Sequence, residues 1–430
     1  MECLVLMIFI GILLGCVAAD VSILYALMAG YILFVLYAKK KGFSFGEVLG
    51  MSIEGVKTVK NILITFFLIG TLTALWRAGG TIPAVVCYSI KVMRPGLFLV
   101  IAFLLNSIVS FLTGTSFGTA ATMGTICMTM GRALELDPVM MGGAILSGVF
   151  FGDRCSPVST SALLVAELTK TDLYENIKNM LKTALVPFLV TCLIYTIYGW
   201  YAATKGNGMP EIYSIFAEEF QMGLLTLLPA VLILLLSLWK VNVKKTMLAS
   251  ILAAVFVCIT CQKLSFGEIV CFSVFGFKTS NGALAPMING GGIVSMLRVA
   301  AIVCISSSYA GIFQKTGLLE PICRLIDGMG KRFSTYTVVL LTSIAASAVS
   351  CNQTLSIMLT EQLCSHIEKE KCRRALYLED SVVIVAPLIP WSIAGAVPLA
   401  TVGAPTASLM TSFFLFLIPI WELMTQRRKV

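Results

Sequence analysis

Charged residues are scarce in this sequence. Asp, Glu, Lys and Arg make up only 12% of its 430 residues, whereas a soluble globular domain carries about 25%. Hydrophobic residues reach 58%. This composition excludes a large soluble helical protein and indicates that most of the chain lies in a membrane.

Histidine is almost missing too, because His366 is the single one, so a histidine proton relay is excluded. The alternating ten-residue pattern of a membrane barrel is absent, and backbone polar groups in lipid must be satisfied internally, which favours helical spans. The 14 cysteines are spread through apolar runs and are interpreted as small hydrophobes in reduced surroundings. Cys258 and Cys261 form a lone C-x-x-C without a second pair. We therefore expect no resident metal and no cofactor.

Charge-poor stretches close to the length of a membrane span recur along the chain. A helix needs about 20 such residues to cross the bilayer, which gives roughly ten to twelve transmembrane helices here. The first stretch lacks the basic start and cleavage site of a signal peptide, so we expect it to remain. The predicted fold class is an all-α polytopic membrane protein. Examples of these stretches are 3–19, 62–76, 181–203, 223–239 and 247–261.

The net charge of +9 comes from lysines and arginines clustered between the apolar stretches. Such clusters mark the cytoplasmic side of a membrane and need no nucleic-acid partner. We therefore place both termini in the cytoplasm and the chain in the plasma membrane. The segment 205–219 carries three glutamates and one lysine, so we place it outside. The basic clusters are Lys39, Lys40, Lys41, Lys57 and Lys60, then Lys240, Lys244 and Lys245, and finally Arg427, Arg428 and Lys429.

The two halves of the chain resemble each other. Residues 43–48 read FSFGEV and residues 264–269 read LSFGEI, and residues 80–117 can be laid over 317–354 without a gap. The first motif follows a lysine cluster and the second does not, so the two motifs are expected on opposite sides of the membrane. We predict two inverted-topology repeats, 1–204 and 220–430, joined by an extracellular loop, 205–219. This architecture, with discontinuous or re-entrant helices, is typical of secondary transporters, whose site lies between the repeats.

Three apolar regions are interrupted by polar and helix-breaking residues. In the first, Gly114 and Gly118 lie among hydroxyl residues. Glycine lets a helix unwind, and the freed carbonyls and hydroxyls can coordinate a cation. The alternative is a small-residue face for helix packing. The candidate ligands in this region are Thr115, Ser116 and Thr119.

The second region places Asp153 after a long apolar run and directly before Arg154. An ionisable residue at membrane depth indicates function, and the alternative is a salt bridge between these two neighbours at a helix end. Gly152 and Pro157 are the predicted helix breaks, since proline removes a donor and frees carbonyls. The hydroxyl ligands expected beyond the acid are Ser156, Ser159 and Thr160.

The third region lies in the second half and parallels the second. Glu379 and Asp380 precede an apolar stretch that Pro387 and Pro390 divide. We assign Asp380 to the site, whereas a solvated helix start is an equal alternative for Glu379. The neutral donors Asn352, Gln353 and Thr354 complete this half as the counterpart of the Thr115 region.

A carboxylate in such a site can serve two ions in turn. When ionised it helps to bind a cation, and when protonated it does not. Burial raises the pKa of a carboxyl group and a nearby cation lowers it again. Competition for one carboxylate is therefore a minimal mechanism for proton/cation exchange.

Four strings in these regions carry a resemblance to a known family. They are GTSFGT at 114–119, FGDRCSPVS at 151–159, LEDS at 378–381 and PLIPW at 387–391. On these strings, the sequence resembles the NhaC-type sodium/proton antiporter family, a branch of the ion transporter superfamily, over nearly its whole length. The resemblance implies a multi-helix exchanger with inverted repeats that transports Na⁺ and H⁺. Members exchange sodium for protons, or malate for lactate with proton and sodium movement, so the substrate stays open.

The chain departs from the family pattern at two positions. Members commonly carry Asp where this chain has Thr160, and Gly-Asp-Gln where it has Cys351, Asn352 and Gln353. Neutral oxygen donors thus replace two carboxylates. Such a site should bind cations more weakly and couple fewer protons, which leaves room for an organic anion or an amino acid.

The sequence favours a cation/proton antiporter and not an enzyme. The alternative is a Na⁺- or H⁺-coupled carrier or exchanger of a small carboxylate or amino acid, in which Arg154 would face the substrate's carboxylate. An intramembrane aspartyl protease using Asp153 and Asp380 is disfavoured, because Gly-x-Gly-Asp and Tyr-Asp motifs are missing. A channel does not need repeated halves. The expected partners are a small ion or solute and the lipid bilayer, and a homodimer is compatible with the sequence.

Overall fold

The structure is a computed structural model that describes most of the chain. The described residues are all except 1, 19–22, 59, 91–94, 158, 204–215, 217, 218, 240, 242, 282–284, 317, 319–332, 351 and 427–430. The predicted connecting loop, 205–219, and Cys351 therefore lie wholly or largely outside the described part. Within it, the chain forms helices and turns, and extended pairing is limited to one bridge between Phe277 and Gly290.

The first half is a series of apolar helices with one long helix at its end. A π-helical turn, Ala120–Gly124, joins two of them into one continuous helical stretch, 116–133. A 3₁₀ turn, Pro95–Leu97, leads into the sixth helix. The helices are α1 (Glu2–Ala18), α2 (Ile23–Lys40), α3 (Phe45–Thr58), α4 (Lys60–Ala78), α5 (Thr81–Ile90), α6 (Phe98–Thr113), α7 (Ser116–Thr119), α8 (Thr125–Ala133), α9 (Pro138–Cys155), α10 (Thr160–Thr169) and α11 (Leu173–Ala203).

The second half has the same character. Short 3₁₀ turns occur at Leu224–Leu227, Ala386–Leu388 and Thr406–Thr411. The helices are α12 (Leu228–Leu238), α13 (Val243–Thr260), α14 (Phe266–Phe275), α15 (Ala285–Ile288), α16 (Ile293–Thr316), α17 (Thr335–Ser350), α18 (Gln353–Cys364), α19 (Lys371–Asp380), α20 (Val382–Val385), α21 (Ile393–Val402) and α22 (Phe413–Gln426).

The helices confirm a helical, apolar protein. Among the described residues, Leu173–Ala202 and Ile293–Phe313 are each long and apolar enough to cross a membrane. A third span results if Lys371–Leu388 and Ile393–Val402, which meet at an angle of 53°, are one broken span. Shorter apolar helices such as α6 and α17, with 16 residues each, fall below the usual length of about 20. The predicted ten to twelve spans and the re-entrant segments stay predictions.

Two glycines allow α6 and α9 to pack closely over much of their length. A Cβ atom at Gly148 would lie 2.6 Å from the carbonyl oxygen of Phe103, and one at Gly152 would collide with the backbone of Phe111. The absence of side chains at these positions lets the two backbones touch, as small residues do between membrane helices. The contact holds the end of α9 beside the end of α6.

Helices of the two halves pack against each other. Helix α16 of the second half lies on α2, α3 and α4 of the first, and α13 and α14 also contact α4. The indole Nε1 of Trp76 on α4 donates to Ser250 Oγ on α13 at 3.0 Å, and both residues are buried. Tyr309 of α16 stacks edge-on against Phe9 and Phe34 of the first two helices. The two halves therefore share one interior.

Some helices of the two halves correspond in position. Helices α6 and α17 begin and end at residues that the ungapped overlay of the two halves pairs. Each is followed by a residue that caps the next helix, Thr115 (φ −145°, ψ 119°) and Asn352 (φ −142°, ψ 129°). Further on, Ser159 (φ −71°, ψ 136°) and Ser392 (φ −75°, ψ 136°) cap α10 and α21. These correspondences support the predicted repeat, whose inverted orientation stays a prediction.

The basic segment between Lys39 and Lys60 is not the simple loop that the sequence suggested, because α3 occupies most of it. Ser44 and Glu47 cap this helix reciprocally: the backbone N of Ser44 donates to the Glu47 carboxylate at 2.7 Å, and the backbone N of Glu47 donates to Ser44 Oγ at 3.3 Å. Ser265 and Glu268 form the same capping box at the start of α14. The repeated FGE motif is thus a helix start in both halves.

Candidate functional site

The break between α6 and α7 is built by Gly114 and Thr115. Gly114 ends α6 in the left-handed region (φ 65°), where glycine costs least, and its backbone N donates to Ser110 O. Thr115 is extended, and its Oγ1 accepts a bond from Gly118 N at 3.2 Å. The chain therefore restarts as a helix at Ser116, with its first backbone N–H groups turned towards the break.

Asp153 lies in the last turn of α9 and is buried, with 4% of its surface exposed. Its Oδ1 accepts a hydrogen bond from Ser159 Oγ at 3.1 Å. Ser159 is also the cap of α10, accepting from the backbone N of Ser161 and Ala162 at 3.2 and 3.4 Å, and its Oγ lies 2.8 Å from Ser161 Oγ. The acid is thus held by a hydroxyl network and has no cationic partner among the described residues.

The second half contributes the break before α18. Asn352 Oδ1 accepts from the backbone N of Thr354 and Leu355 at 2.9 and 3.5 Å, and so caps the helix. The Nε2 of Gln353 donates to Val383 O at 2.9 Å, which ties this break to α20. An amide here performs the structural task that Thr115 performs in the first half.

These breaks meet around one cavity of about 190 Å³. It extends from Thr160 and Thr354, which are exposed on the surface of the chain, to the buried Asp153. The structure thus brings seven of the twelve predicted ligands together, from both halves, and their ion-binding role stays a prediction. The lining residues are Thr115, Ser116, Phe117, Asp153, Thr160, Asn352, Gln353, Thr354, Ile393 and Ala394.

Four helix starts surround this cavity. They are the beginnings of the stretch 116–133 and of α10, α18 and α21, each of which contributes its first residues to the lining. A helix N-terminus carries a partial positive charge from its unpaired N–H groups. The cavity is therefore lined by one carboxylate, Asp153, and by four helix ends that each carry a partial positive charge.

Arg154 follows Asp153 in the chain but faces away from the cavity. It is fully buried and forms an ion pair with Asp380 of α19. Its guanidinium also donates to Met180 O at 3.1 Å and to Thr183 Oγ1 at 2.9 Å, both on α11. The Asp153–Arg154 salt bridge considered from the sequence is therefore wrong. Arg154 does not face a substrate in the cavity, and Asp380 does not line it.

Glu379 lies beside this ion pair, behind the cavity. It is fully buried, which rules out the solvated helix start considered from the sequence. Its backbone carbonyl accepts from Arg154 Nε at 3.3 Å, whereas neither oxygen of its carboxyl group has a hydrogen-bond partner among the described residues. The side chain is close enough to Arg154, Asp380 and Asp153 to experience their charges.

The remaining predicted residues are hydroxyl residues outside the cavity lining and residues that were predicted to interrupt helices. Thr119 Oγ1 lies 3.1 Å from Thr113 Oγ1, away from the cavity lining, and Ser156 is the buried residue that ends α9. Pro157 follows that end, and Pro387 and Pro390 lie in the interruption between α20 and α21. Gly118 and Gly152, in contrast, lie inside helices and break neither. Gly152 instead permits the close contact with α6.

Sequence reasoning missed several residues that build the site. Ser392 caps α21 through Ala394 N at 3.3 Å, and its signal was a hydroxyl residue two positions after Pro390, as Ser159 lies two positions after Pro157. Thr183 bridges Arg154 and Asp380 from α11, a helix in which the sequence marked no site residue. The π turn at 120–124, a form that is frequent at functional sites, had no sequence signal.

Comparison with known proteins relates the sequence to antiporters. The sequence matches the Na⁺/H⁺ antiporter family over residues 2–167 and 148–425. It is 29% identical to an uncharacterized Na⁺/H⁺ antiporter of Haemophilus influenzae, covering 91% of this chain and 86% of the relative. It is 26% identical to the malate-2H⁺/Na⁺-lactate antiporter of Bacillus subtilis (97% and 92% covered). It is 27% identical to the Na⁺/H⁺ antiporter NhaC of Alkalihalophilus pseudofirmus (86% and 83% covered).

These matches cover both halves and all the helices that line the cavity. The family is one of transporters, which agrees with a membrane protein that is not an enzyme. The resemblance seen in the sequence strings at 114–119, 151–159, 378–381 and 387–391 is thereby confirmed. The chain belongs to the Na⁺/H⁺ antiporter family.

Proposed function

We propose that this protein exchanges Na⁺ for protons across the plasma membrane, with Asp153 as the group that binds either ion. The observation that carries the proposal is that the Asp153 carboxylate is buried, lines a cavity and has no cationic partner among the described residues. An ionised carboxylate in this position needs a positive charge, because an unpaired charge away from water is costly. Either a proton or a cation from the cavity can supply that charge.

The other lining groups suit a sodium ion. Thr115, Ser116 and Thr160 offer hydroxyls and Gln353 offers an amide carbonyl, whereas the amide carbonyl of Asn352 is engaged in capping α18. Oxygen donors at helix breaks are what discontinuous transporter helices use to coordinate Na⁺. Ser159 holds one carboxylate oxygen of Asp153 in place, which leaves the other available to a ligand in the cavity.

The proposed exchange cycle needs two things. Na⁺ and a proton must compete for Asp153, and the cavity must open to each side of the membrane in turn. On one side of the membrane, Na⁺ enters the cavity and displaces the proton from Asp153. On the other side, a proton displaces Na⁺. An ionised Asp153 with no bound ion is disfavoured. The cavity therefore changes the side to which it opens only when Asp153 holds Na⁺ or a proton, and this couples the two fluxes. No cofactor is needed for these steps.

We also propose that the cavity lies between two inverted repeats, 1–204 and 220–430, with both termini cytoplasmic. The matching caps at Thr115 and Asn352, and at Ser159 and Ser392, support the repeat. The lysine clusters support the orientation. A site between repeats is where alternating access exposes a ligand to each side in turn.

Purified protein in liposomes with a pH-sensitive dye inside tests the proposal. Gradients of Na⁺, Li⁺ and K⁺ are imposed in turn on the wild type and on Asp153→Asn. We expect a Na⁺-dependent pH change in the wild type and none in the variant, which keeps the shape of the side chain but removes its charge. A normal Na⁺-dependent pH change in Asp153→Asn would refute the role of Asp153.

A second candidate is the exchange of a small organic acid or amino acid coupled to Na⁺ or H⁺. The four helix N-termini around the cavity favour it, because such ends attract carboxylates. Thr160 and Asn352 are neutral, which also leaves room for an anion. One relative is named for malate and lactate exchange with two protons and Na⁺.

The same liposomes separate the two candidates. If Na⁺-driven proton movement is unchanged by added malate, lactate or amino acids, the cation exchanger is favoured. If no cation gradient moves protons until one of these solutes is present, the organic-solute exchanger is favoured. Uptake of the labelled solute, and its loss in Asp153→Asn, would then identify the cargo.

A further inference from the structure

A groove of about 530 Å³ lies between α2, α3, α4 and α16 and shares no lining residue with the cavity around Asp153. Two of its walls, α3 and α16, touch through glycines. A Cβ atom at Gly55 would lie 2.1 Å from the carbonyl oxygen of Ser307, and one at Gly311 would lie 2.0 Å from that of Met51. The groove is therefore built by helices of both halves, which a close backbone contact holds together.

The walls of this groove are mainly apolar. Leu49, Ile53 and Val56 form a stripe along one face of α3, since residues three and four apart on a helix are neighbours. Leu63 of α4 and Ile305 of α16 extend this apolar surface. Leu49 and Ile53 each keep 47% of their surface exposed, so the described residues leave the stripe partly uncovered. An apolar ligand would bury that surface, which is favourable.

Three hydroxyl groups in the lining donate their hydrogens within the protein. Tyr31 OH donates to Ser52 Oγ at 3.0 Å, and Ser52 Oγ in turn donates to Val48 O at 2.9 Å. Ser308 Oγ donates to Ile305 O at 2.6 Å. A polar solute in the groove would lose its bonds to water without gaining these donors. The body of the groove therefore suits a hydrocarbon chain better than a sugar or a nucleotide.

Two lysines line the groove where the chain passes from α3 to α4. Lys57 is in the last turn of α3 and Lys60 is the first residue of α4, and both are exposed. Neither forms an ion pair with a described residue. Glu54 is near enough to Lys57 to interact through charge, but its carboxylate is paired with Lys315 at 2.8 Å. The two ammonium groups are therefore available to an anion at the edge of an apolar groove.

We propose that this groove binds an anionic phospholipid of the surrounding bilayer, with an acyl chain along α3 and the phosphate held by Lys57 and Lys60. From Leu49 to Lys57 the lining follows α3 for about 12 Å, at about 1.5 Å of rise per residue. One leaflet is half of a hydrocarbon core of about 30 Å, or about 15 Å deep, so the groove can hold most of a chain. Clustered basic residues beside membrane helices attract anionic headgroups.

A second copy of this chain is a poorer occupant of the groove. A two-fold contact places the same surface of each subunit against the other. Lys57 and Lys60 of both copies would then share one interface, where like charges repel one another. A phospholipid instead supplies the negative charge and the apolar chain together.

The bound lipid should stabilise the folded protein, because a ligand that binds only the folded state shifts the unfolding equilibrium. The lysines should make phosphatidylglycerol bind more tightly than phosphatidylcholine with the same chains. The expected preference is roughly fivefold for each lysine, or about 25-fold for the two together. Binding in this groove does not depend on which ion the cavity around Asp153 transports.

Thermal unfolding of the delipidated full-length protein in detergent tests the proposal, with each of the two lipids titrated in, and native mass spectrometry counts the lipids that stay bound. We expect one phosphatidylglycerol per chain and a half-saturating concentration about 25-fold below that of phosphatidylcholine. Lys57→Gln/Lys60→Gln should remove this difference. The control, Lys39→Gln/Lys40→Gln, loses two exposed lysines at the end of α2, outside the groove lining, and should keep the difference.

Ile53→Trp fills the groove without a change of charge and should weaken binding of both lipids, which separates the groove from general attraction to a basic surface. Glycerol phosphate alone should not stabilise the protein, because it lacks the chain. Equal binding of the two lipids, a preference that survives in Lys57→Gln/Lys60→Gln, or one that is lost in Lys39→Gln/Lys40→Gln overturns the proposal. Stabilisation by glycerol phosphate, or a loss of dimers instead of lipid in Ile53→Trp, overturns it as well.

Discussion

The Arg154 guanidinium pairs with Asp380, 226 residues away, and not with Asp153 beside it in the chain. Consecutive residues on a helix point in directions about 100° apart, so neighbours cannot face each other. Asp153 therefore points into the cavity while Arg154 points into the contact with α11 and α19. The pairing leaves Asp153 without a cation, and it joins the two halves of the chain behind the site.

The buried ion pair predicts a large loss of stability when one partner is removed. Arg154→Met should destabilise the protein by about 3–5 kcal/mol, because Asp380 stays buried without its cation. Thermal unfolding in detergent measures the change. The double variant Arg154→Met/Asp380→Leu is the control, since it leaves no unpaired charge and should regain most of the lost stability. Equal instability of the single and double variants would contradict this account of the pair.

Ser159 has two tasks, and a matched pair of variants separates them. Ser159→Ala and Ser392→Ala each remove a helix cap, so each should cost about 0.5–2 kcal/mol of stability. Only Ser159 also donates to Asp153. We therefore expect Ser159→Ala alone to raise the Na⁺ concentration needed for half-maximal exchange. If both variants change the Na⁺ dependence equally, the bond to Asp153 has no role in binding.

Thr160 lines the mouth of the cavity. Thr160→Asp adds a carboxylate there and should strengthen Na⁺ binding through charge attraction. Na⁺-dependent proton flux in liposomes measures the change as a lower half-saturating concentration. Thr160→Asn is the control, because it has nearly the same size as aspartate and no charge. Unchanged Na⁺ dependence in Thr160→Asp would show that this position is not part of the site.

Gly152 lets the C-terminal end of α9 lie against the C-terminal end of α6 beside the cavity. Gly152→Ala forces a methyl group against the backbone of α6, and overpacking of this kind costs about 1–3 kcal/mol. Exchange should fall because Asp153 on α9 moves away from Thr115 beyond α6. In Gly46→Ala the added methyl group meets no atom within 4 Å, so this variant should keep both stability and exchange. Unfolding temperature and flux of the two variants give the comparison.

Much of the site could be predicted from the sequence, because its residues lie in short segments with a recognisable local pattern. Hydroxyls and amides beside helix breaks, as at Thr115 and Asn352, can be recognised from the residues, and the overlay of the halves places them opposite each other. The choice of Asp380 as partner of Arg154 could not be predicted, since it depends on side-chain directions and on a contact between distant helices. The sequence also cannot separate a glycine that breaks a helix, such as Gly114, from one that permits close packing, such as Gly152.

The most direct test of the central claim is the Na⁺ affinity of the purified protein as a function of pH, for the wild type and Asp153→Asn. Na⁺ needs the ionised carboxylate, so its affinity should be greatest at high pH. It should weaken by at least about tenfold for each unit of pH below the titration of Asp153, as expected for one or more competing protons. Asp153→Asn should bind Na⁺ weakly at every pH. An affinity that does not change with pH, or that survives in Asp153→Asn, would contradict the claim that Na⁺ and protons share Asp153.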